Sequence, residues 1–171
     1  MEPHPSSSSV VIQLILLAAF IIPAILFLLT QQNTLKLIRP ENRRMSPGLV
    51  WLQLIPLLGQ IWQFFVIARI SASIKREMES PHGDSILGLE DVLIANSTRR
   101  QPTRAIGIAY CILYWLLLLT EFANEGRPVG EPAPLLMVVG LFAWATFICW
   151  IVYWARLAWY RRKLRVLMAA I

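Results

Sequence analysis

An apolar run near the start of the chain limits the folds that this sequence can adopt. Residues 10–30 form a stretch of 21 residues that is interrupted only by Gln13 and Pro23. As an α-helix with a rise of about 1.5 Å per residue, this run covers about 30 Å, the thickness of the hydrocarbon layer of a bilayer. The run therefore predicts a transmembrane helix that is kinked at Pro23.

Three further apolar runs cover residues 48–70, 105–122 and 135–154. With 57% hydrophobic and 15% charged residues and a mean hydropathy of +0.58, the 171-residue chain is more apolar and less charged than a soluble domain. We therefore predict an all-α polytopic membrane protein with four transmembrane helices in a single membrane domain over residues 1–171. A cytoplasmic loop is predicted over 71–104 and a basic C-terminal extension over 155–171.

The basic residues flank the apolar runs, so the net charge of +6 indicates a membrane protein and no nucleic-acid partner. Six lysines or arginines lie in 69–104 and five follow Trp154, whereas the connection 123–134 has one. Because lysine and arginine are retained on the cytoplasmic side, we expect 69–104 and the C-terminus to be cytoplasmic. The connection 123–134 is then expected on the outside.

Residues 48–70 fit two arrangements. As a spanning helix of 23 residues they give four passes, with eleven basic residues inside and five outside. As a re-entrant hairpin that turns near Pro56 and Gly59 they give three passes, with fifteen basic residues inside and one outside. The charge rule favours the hairpin, whereas length and the need to satisfy non-helical backbone in lipid favour the spanning helix. We predict four passes with Ser46 outside, and keep three passes plus a re-entrant segment as the alternative.

Three glutamines give this segment a polar stripe. On one continuous helix, Gln53, Gln60 and Gln63 fall on the same face with Pro56. An amide that faces lipid is costly, so we expect the stripe to face protein or water. Two interpretations stay open: hydrogen bonds between helices, in which Gln13 is a plausible partner, or the lining of a pore built from several copies of the chain.

The inner end of the fourth run combines aromatic and basic side chains. Tryptophan and tyrosine prefer the headgroup region, and basic clusters attract anionic lipid there. We expect an interfacial anchor, with lipid headgroups as partners of five basic residues: Arg156, Arg161, Arg162, Lys163 and Arg165.

The sequence lacks the residues that most membrane chemistry requires. The histidines His4 and His82 both lie outside the apolar runs, and no lysine or carboxylate lies in the middle of a run. No phosphate-binding glycine loop and no hydrolase or metalloprotease motif is present. We therefore predict a protein that is not an enzyme and that holds no metal and no cofactor. A membrane enzyme that acts through the polar loop 80–104 is a further hypothesis, but no sequence motif supports it.

The segment PENRRMSPGLVWLQLIP, with IWQFFV and ISASIK after it, resembles a group of small bacterial inner-membrane proteins without an assigned activity. The resemblance covers about a quarter of the chain and implies a bacterial inner-membrane location and four passes. We expect the chain to act as a small oligomer, or as an accessory or interaction subunit of a membrane complex. The alternative is a homo-oligomeric channel lined by Gln53, Gln60 and Gln63.

Overall fold

A computed structural model describes residues 7–80, 103–124 and 134–169. These residues form α1 (Ser7–Leu37), a 3₁₀ helix (Pro47–Leu54), α2 (Leu58–Met78), α3 (Arg104–Asn124) and α4 (Pro134–Ala169). No strand occurs in these three ranges, so the prediction of an all-helical chain is confirmed. Most of the predicted loop 71–104 and of the connection 123–134 lies outside the described residues.

Two of the helices are long and apolar enough to cross a bilayer, judged by length and composition. They are Val10–Leu37, with 28 residues, and Met137–Val166, with 30 residues, while the apolar part of α3 is shorter, Arg104–Thr120. Both long helices continue beyond the apolar runs 10–30 and 135–154. Most of the predicted basic extension 155–171 belongs to α4, because Leu157, Tyr160 and Leu164 form a buried face there.

The structure corrects the prediction of one continuous helix over 48–70. The segment is a 3₁₀ helix and an α-helix separated by residues 55–57. Pro56 disfavours helical backbone at the residue before it, and Ile55 is accordingly extended, with φ −74° and ψ 121°. Leu57 then adopts a positive φ of 63°, and the Leu58 N–H donates to the Pro56 carbonyl at 2.7 Å. This tight turn reverses the chain direction.

The 3₁₀ helix and α2 therefore form a helical hairpin, which we call the hairpin. The indole Nε1 of Trp62 donates to the Leu49 carbonyl at 2.9 Å and so joins the two arms. At the open end, the Arg44 N–H donates to Ser73 Oγ at 2.8 Å. The chain thus enters and leaves the hairpin at the same end of the bundle.

The hairpin completes a ring of neighbouring elements. α1 packs against α4 and the 3₁₀ helix, α4 packs along α3, and α3 packs against α2. Gly107 lies at a close contact in this ring, since a Cβ there would lie 2.5 Å from Ile67 Cγ2 and 3.0 Å from Tyr153 Cε2. A small residue at this point lets α2, α3 and α4 meet.

These contacts fix which helix ends lie together. Gly107 at the start of α3 faces α2 and α4, and Trp154 of α4 donates to Thr30 Oγ1 of α1 at 3.0 Å. The basic residues of the helices, among them Lys36, Arg69 and Arg104, lie at the end of the bundle where these contacts occur. We call this the basic end, and the opposite end of the helices the far end.

Candidate functional site

The three predicted glutamines line one cavity, although they do not share a helix. Gln53 lies on the 3₁₀ helix, whereas Gln60 and Gln63 lie on α2. The turn of the hairpin brings both arms to the same cavity, which has a volume of about 600 Å³. We call it the glutamine cavity. The stripe expected on a single helix is replaced by an inward-facing group of amides from both arms.

Every helix of the ring contributes to the cavity. Besides the glutamines, its polar lining comes from Tyr110 and Tyr114, four residues apart on α3, and from Thr146 of α4. Aromatic side chains from the two long helices complete the wall, with Phe27 from α1 and Trp150 from α4. None of the described residues that line the cavity is charged.

The amides bind partners inside the chain. Gln53 Nε2 donates to Gln31 Oε1 at 2.6 Å and so joins the hairpin to α1. Gln60 Nε2 donates to the Tyr114 hydroxyl at 3.3 Å and joins the hairpin to α3. Each such bond contributes about 0.6 kcal/mol on average between helices in a membrane. These contacts are the interhelical hydrogen bonds that the sequence left open as one of two interpretations.

The cavity reaches the surface of the chain between α1 and the turn of the hairpin. Ala19, Ala24 and Leu54 line the cavity and are exposed, as is Phe147 of α4, whereas Phe27 and Gln63 are buried. Pro23 also lines this opening. A molecule can therefore enter from the side of the bundle, at the level of the middle of α1.

An aromatic cluster supports the closed side of the cavity. The ring of Phe27 contacts those of Trp150, Tyr153 and Trp154, with centroids 5.7 to 6.0 Å apart and steep interplanar angles. Such edge-to-face pairs contribute about 0.5–1.5 kcal/mol each beyond the burial of their area.

Two buried polar atoms lie beside the cluster without a partner. The Tyr153 hydroxyl is next to the side chain of Gln31, yet neither this hydroxyl nor Gln31 Nε2 reaches hydrogen-bond geometry with a described residue. A buried polar group left in this state costs about 1–3 kcal/mol. Tyr153 was expected to belong to the interfacial aromatic anchor, and Gln31, which follows the apolar run 10–30, was not singled out in the sequence.

A second polar group closes the open end of the hairpin. The Glu77 carboxylate of α2 pairs with Arg39 Nε at 3.4 Å and accepts hydrogen bonds from Asn42 Nδ2 at 2.7 Å and the Arg39 N–H at 3.3 Å. Its side chain is only 6% exposed. This group fixes the end of α2 to the segment after α1 and is structural. Sequence reasoning missed this group, because the burial of Glu77 and its contacts with Arg39 and Asn42 depend on the fold.

The predicted lipid-contact residues have different environments. Arg156, Arg162 and Arg165 are exposed on α4, and Lys163 Nζ lies 4.1 Å from the centre of the Trp159 ring. Arg161 has a buried Nε without a hydrogen-bond partner among the described residues.

The structure agrees only in part with the aromatic anchor that the sequence predicts at this end of α4. Tyr153 and Tyr160 are buried in the core, while Trp159 is 43% exposed. Tyr153, Leu157, Tyr160 and Leu164 follow the helical period and so form a packing face, which leaves Trp159 as an exposed aromatic ring beside the basic residues.

The described residues contain no group of three or more histidine, cysteine or acidic side chains that could hold a metal ion. The glutamine cavity itself is lined by amide, hydroxyl and aromatic side chains. No protein family matches the chain, and neither a curated protein nor a solved structure is similar to it.

Proposed function

We propose that this chain is an integral membrane protein with three spanning helices, α1, α3 and α4, and a re-entrant hairpin that enters and leaves at the basic end. Support comes from the open end of the hairpin, where Arg39 and Arg44 lie beside Glu77 and Ser73. With the basic end in the cytoplasm, the positive-inside rule is met by every lysine and arginine of the described residues. The N-terminus is then outside and the C-terminus cytoplasmic, in a bacterial inner membrane.

The hairpin also meets the condition for irregular backbone in a membrane. Non-helical segments are tolerated at this depth only where protein or a water-filled cavity satisfies their polar groups. Residues 55–57 are exposed, but the carbonyls of Ile55 and Pro56 accept hydrogen bonds from the N–H groups of Gly59 and Leu58, at 2.7 Å each. Both arms are tied to neighbouring helices by amide side chains.

Within the membrane, we propose a non-enzymatic interaction role, as a small oligomer or as an accessory subunit of a complex. The observation that carries this proposal is the exposure of α1, in which every residue from 10 to 19 is exposed. Ten consecutive helical residues cover the whole circumference, so this half of α1 is uncovered on all sides. Gln13 lies there and has no hydrogen-bond partner among the described side chains.

An amide in the apolar layer is stabilised when a second helix supplies a partner. Gln13 therefore supports association of α1 with another spanning helix. A pore lined by the glutamine stripe has less support, because Gln53 and Gln60 bind Gln31 and Tyr114 of the same chain. We therefore propose association, not conduction.

The test is the association of the full chain in membranes after Gln13→Leu, with Val11→Leu as the matched control on the same uncovered turn. Loss of one interhelical amide pair should weaken association by about 3- to 30-fold, from about 0.6–2 kcal/mol per bond. Chemical cross-linking and size measurement in lipid nanodiscs would detect this change. The same oligomer and the same co-purified proteins for Gln13→Leu, Val11→Leu and the unmodified chain would contradict the proposal.

A further inference from the structure

We infer that the glutamine cavity is a binding site for a neutral, ring-headed amphiphile that enters from the lipid, of the quinone class. Its ring would lie between the aromatic walls, its carbonyl oxygens would accept hydrogen bonds from the amides and hydroxyls of the cavity, and its apolar tail would leave through the opening. The inference rests on the membrane arrangement proposed above and is independent of the oligomeric role.

The volume and the polar groups both argue against a simple packing defect. A cavity of about 600 Å³ is within the range of about 300–1,000 Å³ that small-molecule sites occupy. Voids left by imperfect packing are apolar, because polar groups facing an empty space lose the partners that they have in water. Here three glutamines, two tyrosines and Thr146 line the space. Gln53 and Gln60 keep partners within the chain, at Gln31 and Tyr114, so a ligand oxygen would add to these bonds or replace them.

The absence of charge among the described lining residues defines the head of the ligand. A phosphate, carboxylate or ammonium group in this cavity would be desolvated without a counter-charge, which costs more than its contacts can restore. A neutral head that carries oxygen acceptors matches amide and hydroxyl donors directly. Gln60 Nε2 lies 3.3 Å from the Tyr114 hydroxyl, a long contact, so a ligand oxygen can replace this partner at little cost.

The walls favour a ring over a flexible glycerol head. Phe27 of α1 and Trp150 of α4 line the cavity together with Tyr110 and Tyr114 of α3. Flat rings stack on such walls in offset or edge-on geometry, which contributes about 0.5–1.5 kcal/mol per pair. Aliphatic chains gain no such directional contact.

The opening connects the cavity with the hydrocarbon layer. Ala19 and Leu54 line it and are exposed, and Ala19 belongs to the part of α1 that nothing else in the described chain covers. An isoprenoid or alkyl tail can lie along this small-residue surface while the ring occupies the interior.

The test measures binding of a decyl-substituted benzoquinone to the purified full chain in detergent, by calorimetry and by quenching of tryptophan fluorescence. Ala19→Phe narrows the opening, and Ala18→Phe is the matched control, because Ala18 is exposed but does not line the cavity. We expect Ala19→Phe and Tyr114→Phe each to weaken binding by about tenfold or more, and Ala18→Phe to leave it within about twofold. Decanol, which has the tail without the ring, should not displace the quinone.

Three results would overturn the inference: no binding to the unmodified chain, equal binding by Ala19→Phe and Ala18→Phe, or displacement by decanol at the concentration of the quinone. If Ala19→Phe does not fold, Tyr114→Phe gives the same decision, since it removes one oxygen from the cavity wall. Gln13→Leu should bind the quinone like the unmodified chain. Loss of association therefore leaves the binding result intact, and the two proposals can fail separately.

Discussion

Gly59→Ala perturbs the closest approach between the two arms of the hairpin. An ideal Cβ at Gly59 would overlap the carbonyl oxygen of Gln53 and would lie 2.7 Å from its carbonyl carbon and 3.1 Å from its Cα. All three are backbone atoms, so no side-chain rotation can relieve the overlap. The Gly59 N–H also donates to the Ile55 carbonyl at 2.7 Å, which holds the glycine in this position.

The size of the effect follows from the required movement. Ordinary van der Waals contact begins at 3.4 Å, so the arms must separate by about 0.7 Å at the carbonyl carbon alone. Movement of this kind is resisted by the hydrogen bond from Gln53 to Gln31 on α1. Overpacking of a fitted interior costs about 1–3 kcal/mol. We expect Gly59→Ala to lower the free energy of unfolding by that amount.

Gly48→Ala is the matched control, because it lies in the same hairpin and a Cβ there meets nothing within 4 Å. We expect Gly48→Ala to leave the free energy of unfolding unchanged or to raise it by about 0.5–1 kcal/mol, because alanine reduces the conformational freedom of the unfolded chain. Both variants can be compared by reversible denaturant unfolding in mixed micelles, followed by tryptophan fluorescence. Equal stabilities for Gly59→Ala and Gly48→Ala would refute the close approach of the arms.

Three further substitutions test separate contacts. Glu77→Gln breaks a nearly buried charge pair and should lower the free energy of unfolding by about 2–3 kcal/mol. Glu79→Gln, whose side chain is 63% exposed, should lower it by less than about 1 kcal/mol in the same assay. Equal losses would contradict the role of Glu77 in closing the hairpin. Leu57→Gly should raise stability by about 1 kcal/mol, since the residue is 81% exposed with a φ of 63° that glycine adopts freely; a loss would show that the turn is not strained. Tyr153→Phe should leave the midpoint of thermal unfolding unchanged or raise it, because the hydroxyl removed is buried without a hydrogen bond, and a clear decrease would reveal a partner.

The helical class could be predicted because it depends on local composition. Long apolar runs such as 10–30 and 135–154 have few alternatives to a helix, and α1 and α4 contain them. Their ends were predicted less well. α4 continues to Ala169 because Leu157 and Leu164 find buried positions, which depends on neighbours that the sequence does not place.

The hairpin shows where length misleads. A run of 23 residues is long enough to span, but Pro56 forces the preceding residue out of helical geometry and Leu57 completes a reversal. The proline was visible in the sequence, as was the charge imbalance that favoured a hairpin. The missing information was how the turn satisfies its polar backbone groups, as a membrane requires: the Leu58 N–H donates to the Pro56 carbonyl and the Gly59 N–H to the Ile55 carbonyl.

The glutamines were identified because an amide side chain that faces lipid is costly. That argument holds whether residues 48–70 form one helix or a hairpin. Their arrangement on one helical face was wrong, because Gln53 and Gln60 lie on opposite arms. The tyrosines that complete the cavity were missed, although Tyr110 and Tyr114 lie four residues apart in an apolar run and so share a face of α3. That spacing, together with the amides, was the available signal.

The side of the membrane on which Ser46 lies tests the central claim most directly. Ser46 is exposed and precedes the 3₁₀ helix, while Ser80 follows α2, so a re-entrant hairpin places both on the cytoplasmic side. In a background without Cys111 and Cys149, Ser46→Cys and Ser80→Cys should react with an impermeant maleimide only after lysis. Gly130→Cys, in the connection predicted to be outside, should react in intact cells with a permeabilised outer membrane. Labelling of Ser46→Cys in those intact cells, together with protection of Ser80→Cys, would show that residues 48–70 cross the membrane and would contradict the account.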